Sequence, residues 1–152
     1  MFAIDTNILV YAHNKDSEFN EKATVFLKKV MNDRDEEGNL PVCIPTQALM
    51  EFINVITRQN LKSPLSLKEA INTVQDYLDF DIQIINQLET QIQTFIELLS
   101  SVSTRKIVFD VALAATLKDN DIEGLYTLNV NDFKDFEFLE VVNPFEDVEE
   151  NQ

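Results

Sequence analysis

Residues 1–16 read MFAIDTNILVYAHNKD, and the placing of one acid in this stretch decides the fold. Four apolar residues lead into Asp5, Thr6 and Asn7 follow, and a second apolar stretch runs from Ile8 to Ala12. Phe2–Asp5 reads as a short buried strand and Thr6–Ala12 as a helical turn or short helix. Asp5 is then either part of a solvated turn or a carboxylate at the end of a buried strand, set to hold a cation.

The same alternation continues outward. Apolar residues Phe19, Ala23, Phe26, Leu27 and Val30 give Ser17–Asn32 a helical period, and DRDEEGN, from Asp33 to Asn39, is a loop. Pro41–Ile44 reads as a second strand, followed by a helix to about Arg58 with Thr46 as its N-cap. Ser66-Leu67-Lys68-Glu69 is a capping box opening a further helix. Asp81–Ile85 leans to strand, and Asn86–Glu89 opens a helix to about Ser101. Val108–Leu117 is helical in composition, and Glu123–Leu128 and Phe136–Val142 are the last strands. Alternating strands and helices predict a three-layer α/β/α fold around a short, mainly parallel sheet. Sites on such sheets lie beyond the carboxyl ends of the strands, where Asp5 falls.

At 152 residues the chain is one domain by size, read as residues 1–145 followed by an acidic, solvated tail at 146–152. Hydrophobic residues make up 45%, which excludes a disordered chain, and no apolar run approaches the roughly 20 residues of a membrane helix. The only cysteine, Cys43, cannot form an internal disulfide and is expected as a reduced core thiol in a cytoplasmic protein. Twenty-seven acids against 12 bases give a formal net charge of −15, which argues against a sequence-blind nucleic-acid coat. It is compatible with a cation site or with a basic protein partner.

Three further acids interrupt apolar patterns. In PTQALMEFINVITR, Glu51 falls just outside the apolar arc of its helix, either as a boundary glutamate reaching water or as part of a site. Asp110 is the only charge between Lys106 and Lys118, and an N-cap role accounts for its type but not for its apolar surroundings. In YTLNVNDF, Asn129 and Asp132 follow a strand, where an Asx turn is locally sufficient. All these breaks sit just past strands or at the starts of adjoining helices. In a parallel sheet they converge on one edge, where four carboxylates would repel one another unless divalent cations joined them. Oxygen-only ligands select hard ions such as Mg²⁺ or Mn²⁺ over Zn²⁺.

In this order and spacing, IDTN, the helical glutamate, DVALAAT and TLNVNDF resemble the PIN-domain nucleases, most closely the small VapC-type toxins. The resemblance spans Phe2 to Phe145. It matches the family's four acids to Asp5, Glu51, Asp110 and Asp132, although Asn129 stands where some relatives carry an acid. It implies a metal-dependent endoribonuclease in which Asp5 and Asp110 hold Mg²⁺ or Mn²⁺ and Glu51 and Asp132 complete the shell. A water activated there would attack a phosphodiester in line. Thr6, Asn7, Thr127 and Asn129 would orient the site. Arg58, Lys62, Arg105 and Lys106 are the candidates for phosphate contacts, and His13 is expected at the surface.

The resemblance also implies a cognate antitoxin and a homodimer, with Ser17–Asn32 and Thr46–Arg58 as a docking surface. The main alternative is a non-catalytic PIN-like module that binds metal or a partner. A phosphatase would show D-x-D after the first strand, where Asn7 stands instead, and a receiver domain would show adjacent early acids and a late lysine.

Overall fold

The computed structural model describes residues 1–102 and 108–146. Five strands form one sheet: β1 (Phe2–Ile4), β2 (Val42–Pro45), β3 (Gln83–Ile85), β4 (Gly124–Tyr126) and β5 (Glu140–Val142). They run in the order β3-β2-β1-β4-β5, and every pairing is parallel. The helices between them are α1 (Thr6–His13), α2 (Asn20–Met31), α3 (Thr46–Ile56), α4 (Leu67–Asp79), α5 (Gln91–Leu99), α6 (Val108–Asp119) and α7 (Val130–Phe133). No described helix is long and apolar enough to cross a membrane.

Side-chain alternation along the strands divides the core in two. Ala3 pairs with Cys43 on one side and Leu125 on the other, and all three enter the layer built with α5 and α6. Ile4, Val42 and Ile44 point to the opposite layer, where Ile8, Leu27, Phe52 and Ala70 come from α1, α2, α3 and α4. Strands covered on both faces have no polar side to show, which is why they read as apolar runs.

The order of crossovers explains the layers. From β1 to β2 to β3 the chain steps in one direction, and its connecting helices lie on one face. From β3 it steps back across β1 to β4, so a connection of the same hand must lie on the other face, where α5 and α6 pack. The reversal falls between β1 and β4, the place where such sheets open a crevice. Gly124, in β4 opposite Phe2, closes this centre tightly, because a Cβ there would run into the Phe2 ring. That ring in turn stacks on Tyr126 at 4.6 Å. Gly124→Val is expected to destabilise the fold by about 1–3 kcal/mol, read as a lower urea midpoint at unchanged m-value.

Several local expectations are corrected. Thr46 is the first residue of α3 and Pro45 its N-cap; the Thr46 hydroxyl turns instead to β3, within 2.6 Å of Asn86 Oδ1. That tie, with Asn120 donating to the Asn86 carbonyl at 2.9 Å, keeps Asn86–Glu89 out of the helix, and α5 begins only at Gln91. Asp110 lies inside the first turn of α6 rather than capping it. Asn129–Phe133 is not a simple Asx turn but leads into the short helix α7. Backbone turns from Phe136 to Phe133 and from Leu139 to Phe136 delay β5 to Glu140. The capping box forms as read: Ser66 and Glu69 each accept from the other's backbone N–H at 3.1 Å. Phe145 is buried and stacks on Phe19 at 5.9 Å. Residues 147–152 of the expected tail lie outside the described residues.

Candidate active site

Asp5 ends β1 and caps α1, only 8% exposed. Its Oδ1 accepts from the backbone N–H of Thr6 at 2.8 Å and its Oδ2 from the Thr127 hydroxyl at 2.7 Å. Thr127 follows β4, so this second bond crosses the point where strand order reverses. Having donated its one proton to Asp5, the Thr127 oxygen can only accept from its other neighbours, Asn7 Nδ2 at 3.2 Å and the Asn129 N–H at 3.1 Å. The Asn7 amide is thereby fixed with its NH₂ towards Thr127. Its Oδ1 is left buried without a partner.

Glu51 enters from α3. Its Oε2 accepts from the Thr6 hydroxyl at 3.0 Å and its Oε1 from Gln47 Nε2 at 2.9 Å. Gln47 also comes within 3.4 Å of the Phe109 carbonyl, joining α3 to the start of α6. Gln47 escaped sequence reasoning; its spacing four residues before Glu51, which puts both on one helical face, was the signal available.

Asp110 and Asp132 complete the group through their charge. Burial pushes Asp110 up to about 6, and Asp132, Asp5 and Glu51 push in the same direction. Burial likewise raises Asp5, against the bonds from Thr127 and Thr6, with Glu51 and Asp132 adding to the rise. The structure thus brings all four predicted acids, with Thr6, Asn7, Thr127 and Asn129, to one place at the carboxyl ends of β1, β2 and β4.

The donor set suits a hard divalent cation: carboxylate oxygens, an unpaired buried amide oxygen at Asn7, and no sulfur or imidazole. Among the described residues, no three His, Cys, Asp or Glu side chains form a ready-made ligand set. Fit therefore rests on donor chemistry and on the mutual repulsion at Asp110, not on a closed cage.

The basic candidates fare differently. Arg58 lies beyond the C-terminal end of α3, about 10 Å along the axis from Glu51, and Lys62 lies further on. Among the described residues, every charge that shifts Asp5 or Asp110 is acidic. α3 runs away from the strands' carboxyl ends and carries Arg58 to its far end from the acids. Arg105 and Lys106 lie outside the described residues.

His13 is not a surface histidine. It is half-buried, packed edge-on against Phe52 and Tyr77, with Nε2 at 2.8 Å from the Tyr77 hydroxyl. Burial lowers its proton affinity, opposed by Asp76. Cys43 is fully buried, its thiol pushed up to about 12 by burial.

Comparison with known proteins agrees with this layout. The chain is 27% identical over 146 residues to ribonuclease VapC24 of Mycobacterium tuberculosis, covering 95% of this chain and 97% of that protein. A toxin–antitoxin complex from Klebsiella pneumoniae superimposes with a TM-score of 0.64 at 19% identity, covering 96% of this chain and 99% of that one. VapC20 of Mycobacterium tuberculosis, a sarcin–ricin loop cleaving toxin, does so with a TM-score of 0.65 at 11% identity, covering 88% and 94%. The PIN domain family profile matches residues 2–139, so that with its all-parallel sheet and converging acids the chain belongs to the PIN-domain family.

Proposed function

We propose that this protein is a divalent-metal-dependent endoribonuclease and the toxin of a toxin–antitoxin pair. The observation that carries this reading is the group of four acids at the strand-order reversal, each of the other three raising the proton affinity of Asp110. A relative named as a ribonuclease, matched over nearly its whole length, supports the substrate class. In this reading Asp5, Glu51, Asp110 and Asp132 hold Mg²⁺ or Mn²⁺. The ion, when bound, supplies an activated water and neutralises charge developing on the phosphoryl group.

The chain's own residues supply the order. Thr127 and the Thr6 N–H pin both oxygens of Asp5, so the carboxylate presents its remaining lone pairs in one direction. Thr6 and Gln47 do the same for Glu51. Asn7 Oδ1 is a buried acceptor fixed beside them, suited to a bound ion or its water rather than to the substrate. Thr127→Val keeps the shape but removes the hydroxyl. It is expected to lower kcat/KM about 10–100-fold, with weaker Mn²⁺ binding by calorimetry.

The test is cleavage of single-stranded and structured RNA in Mg²⁺ or Mn²⁺, with EDTA as control and a single 2′-deoxy residue at the cleaved position. Hydrolysis by water leaves that deoxy substrate cleavable, whereas attack by the 2′-hydroxyl does not. No cutting in any metal, while metal still binds, would leave a metal- or partner-binding module.

Charge bears on affinity. At −15, the protein gains little from releasing counterions on RNA, and weak general affinity would itself give selectivity. Tight binding falling steeply with salt would refute this.

We also propose an antitoxin partner and a homodimer, acting in the cytoplasm. The Klebsiella structure of the same fold is a toxin–antitoxin complex. On α2 and α3, the helices expected to dock a partner, Val25 and Met50 are each 61% exposed. Light scattering of the purified protein reads the dimer, and co-purification with the neighbouring gene's product reads the antitoxin.

A further inference from the structure

Beside the acids, at the carboxyl ends of β2 and β3, lies a cavity of about 280 Å³ lined by Gln47, Met50, Asn86, Gln87 and Thr116. Among the described residues its walls carry no charge, in a chain whose residues are 26% charged. A phosphate or a cation would need charged ligands there. Carboxamides instead offer donor and acceptor side by side, which is what the edge of a nucleobase presents. The volume is near the lower bound of small-molecule sites, roughly 300 Å³, and suits one base rather than a helix.

Gln47 is shared between this cavity and the acid group. The same side chain that lines the cavity holds Glu51 at 2.9 Å and reaches the Phe109 carbonyl at 3.4 Å. Phe109 is 77% exposed, the most exposed of the large apolar side chains described, and it directly precedes Asp110. A bare aromatic ring next to a phosphodiester-cleaving site is a stacking platform, since every base has a π-face. Asn86 is already oriented, its Oδ1 lying 2.6 Å from the Thr46 hydroxyl, so its NH₂ group is turned away from Thr46. With a net charge of −15, the phosphate backbone contributes little attraction, and single-stranded RNA must be held largely through its bases.

We infer that the amide-lined cavity at Gln47, Asn86 and Gln87 is a base-recognition subsite for single-stranded RNA, with Phe109 stacking the adjoining base. The inference deepens the nuclease reading and rests on it for the substrate class. Stacking at Phe109 gives affinity, and the cavity gives the base preference beside the cut.

The test measures RNA binding in EDTA and cleavage in Mn²⁺ in parallel, using labelled heptanucleotides in which one abasic residue is walked along the strand. In the wild type, one abasic position is expected to weaken binding about tenfold. Phe109→Ala is expected to weaken intact RNA by a similar factor and to abolish the penalty at that position alone. Gln87→Ala should flatten discrimination among the four bases at the neighbouring position, with affinity otherwise kept. Both residues are exposed, and unchanged melting temperatures exclude misfolding.

Equal penalties at every abasic position, or no coupling to Phe109 and Gln87, overturn the subsite while RNA cleavage leaves the nuclease standing. Coupling without cleavage in any metal supports the subsite and overturns the nuclease. A change of oligomeric state in Phe109→Ala with RNA affinity intact assigns the ring to a protein contact and overturns the stacking role.

Discussion

Asp5→Asn and Asp110→Asn are each expected to lower kcat/KM for RNA cleavage by about 10³-fold, with far-UV circular dichroism unchanged. An ion stabilising the phosphoryl transition state contributes several kcal/mol, and each 1.36 kcal/mol is tenfold in rate. Asn keeps the shape of Asp in both places, so the Thr6 and Thr127 contacts around residue 5 have a neutral partner to meet. What is lost is the charge. Glu51→Gln and Asp132→Asn should cost less, about 10–100-fold, if they complete a shell that Asp5 and Asp110 anchor. The double variant Asp5→Asn/Asp110→Asn should be no worse than either single one, because groups acting as a unit are not additive. Arg58→Ala serves as a control and should change the rate less than twofold, lying past the far end of α3 from the acids. Near-wild-type cutting by both Asn variants would remove the acid group from the chemistry altogether.

The acids were legible because charge inside an apolar run has few structural explanations, and each of the four stands where a run breaks. The parallel sheet followed from the same runs, since strands covered on both faces have no polar alternation to confuse them, whereas the order of the strands needed the structure. Of what surrounds the acids, Thr6, Asn7, Thr127 and Asn129 were named only through the family resemblance, and Gln47 not at all; their bonds were not legible. The roles of Thr127 and Gln47 depend on partners far along the chain: Thr127 lies 122 residues from Asp5, and Gln47 meets a carbonyl 62 residues away. His13 looked solvent-exposed for the same reason, because Tyr77, which covers it, comes from α4. Arg58 shows what direction adds to position. Chain proximity to the end of α3 suggested proximity to the site, whereas a helix leaving a strand's carboxyl end carries its own end away. Thr46 has the residue type of an N-cap, and only the neighbouring strand β3 shows why its hydroxyl is used elsewhere.

Thermal melting should show the acid group working against the metal-free fold and for the metal-bound one. Asp110 is raised to about 6 in the folded state from an ordinary value of 3.8. A group raised on folding lends stability that is complete below its unfolded value and is lost as pH climbs through the folded one. Metal-free wild type therefore gives up this contribution between about pH 4 and pH 6. At pH 7.5 metal-free Asp110→Asn is expected to be the more stable protein, by about 1 kcal/mol once solvent screening of a half-buried carboxylate is allowed for. That is a rise in Tm of about 2–4 °C, and it should vanish near pH 4. Part of the gain is offset because an acid in the first turn of α6 also meets the helix dipole favourably. Mn²⁺ should invert the ranking. At about 100 times its dissociation constant the ion stabilises wild type by about 2.7 kcal/mol, roughly 5–11 °C, and should do little for Asp110→Asn or Asp5→Asn. The Mn²⁺ effect should also fade below about pH 6, where Asp110 takes up a proton that the ion must displace. A wild type whose Tm ignores Mn²⁺ at every pH would separate the four acids from any metal, and their mutual repulsion would then be a cost without a function.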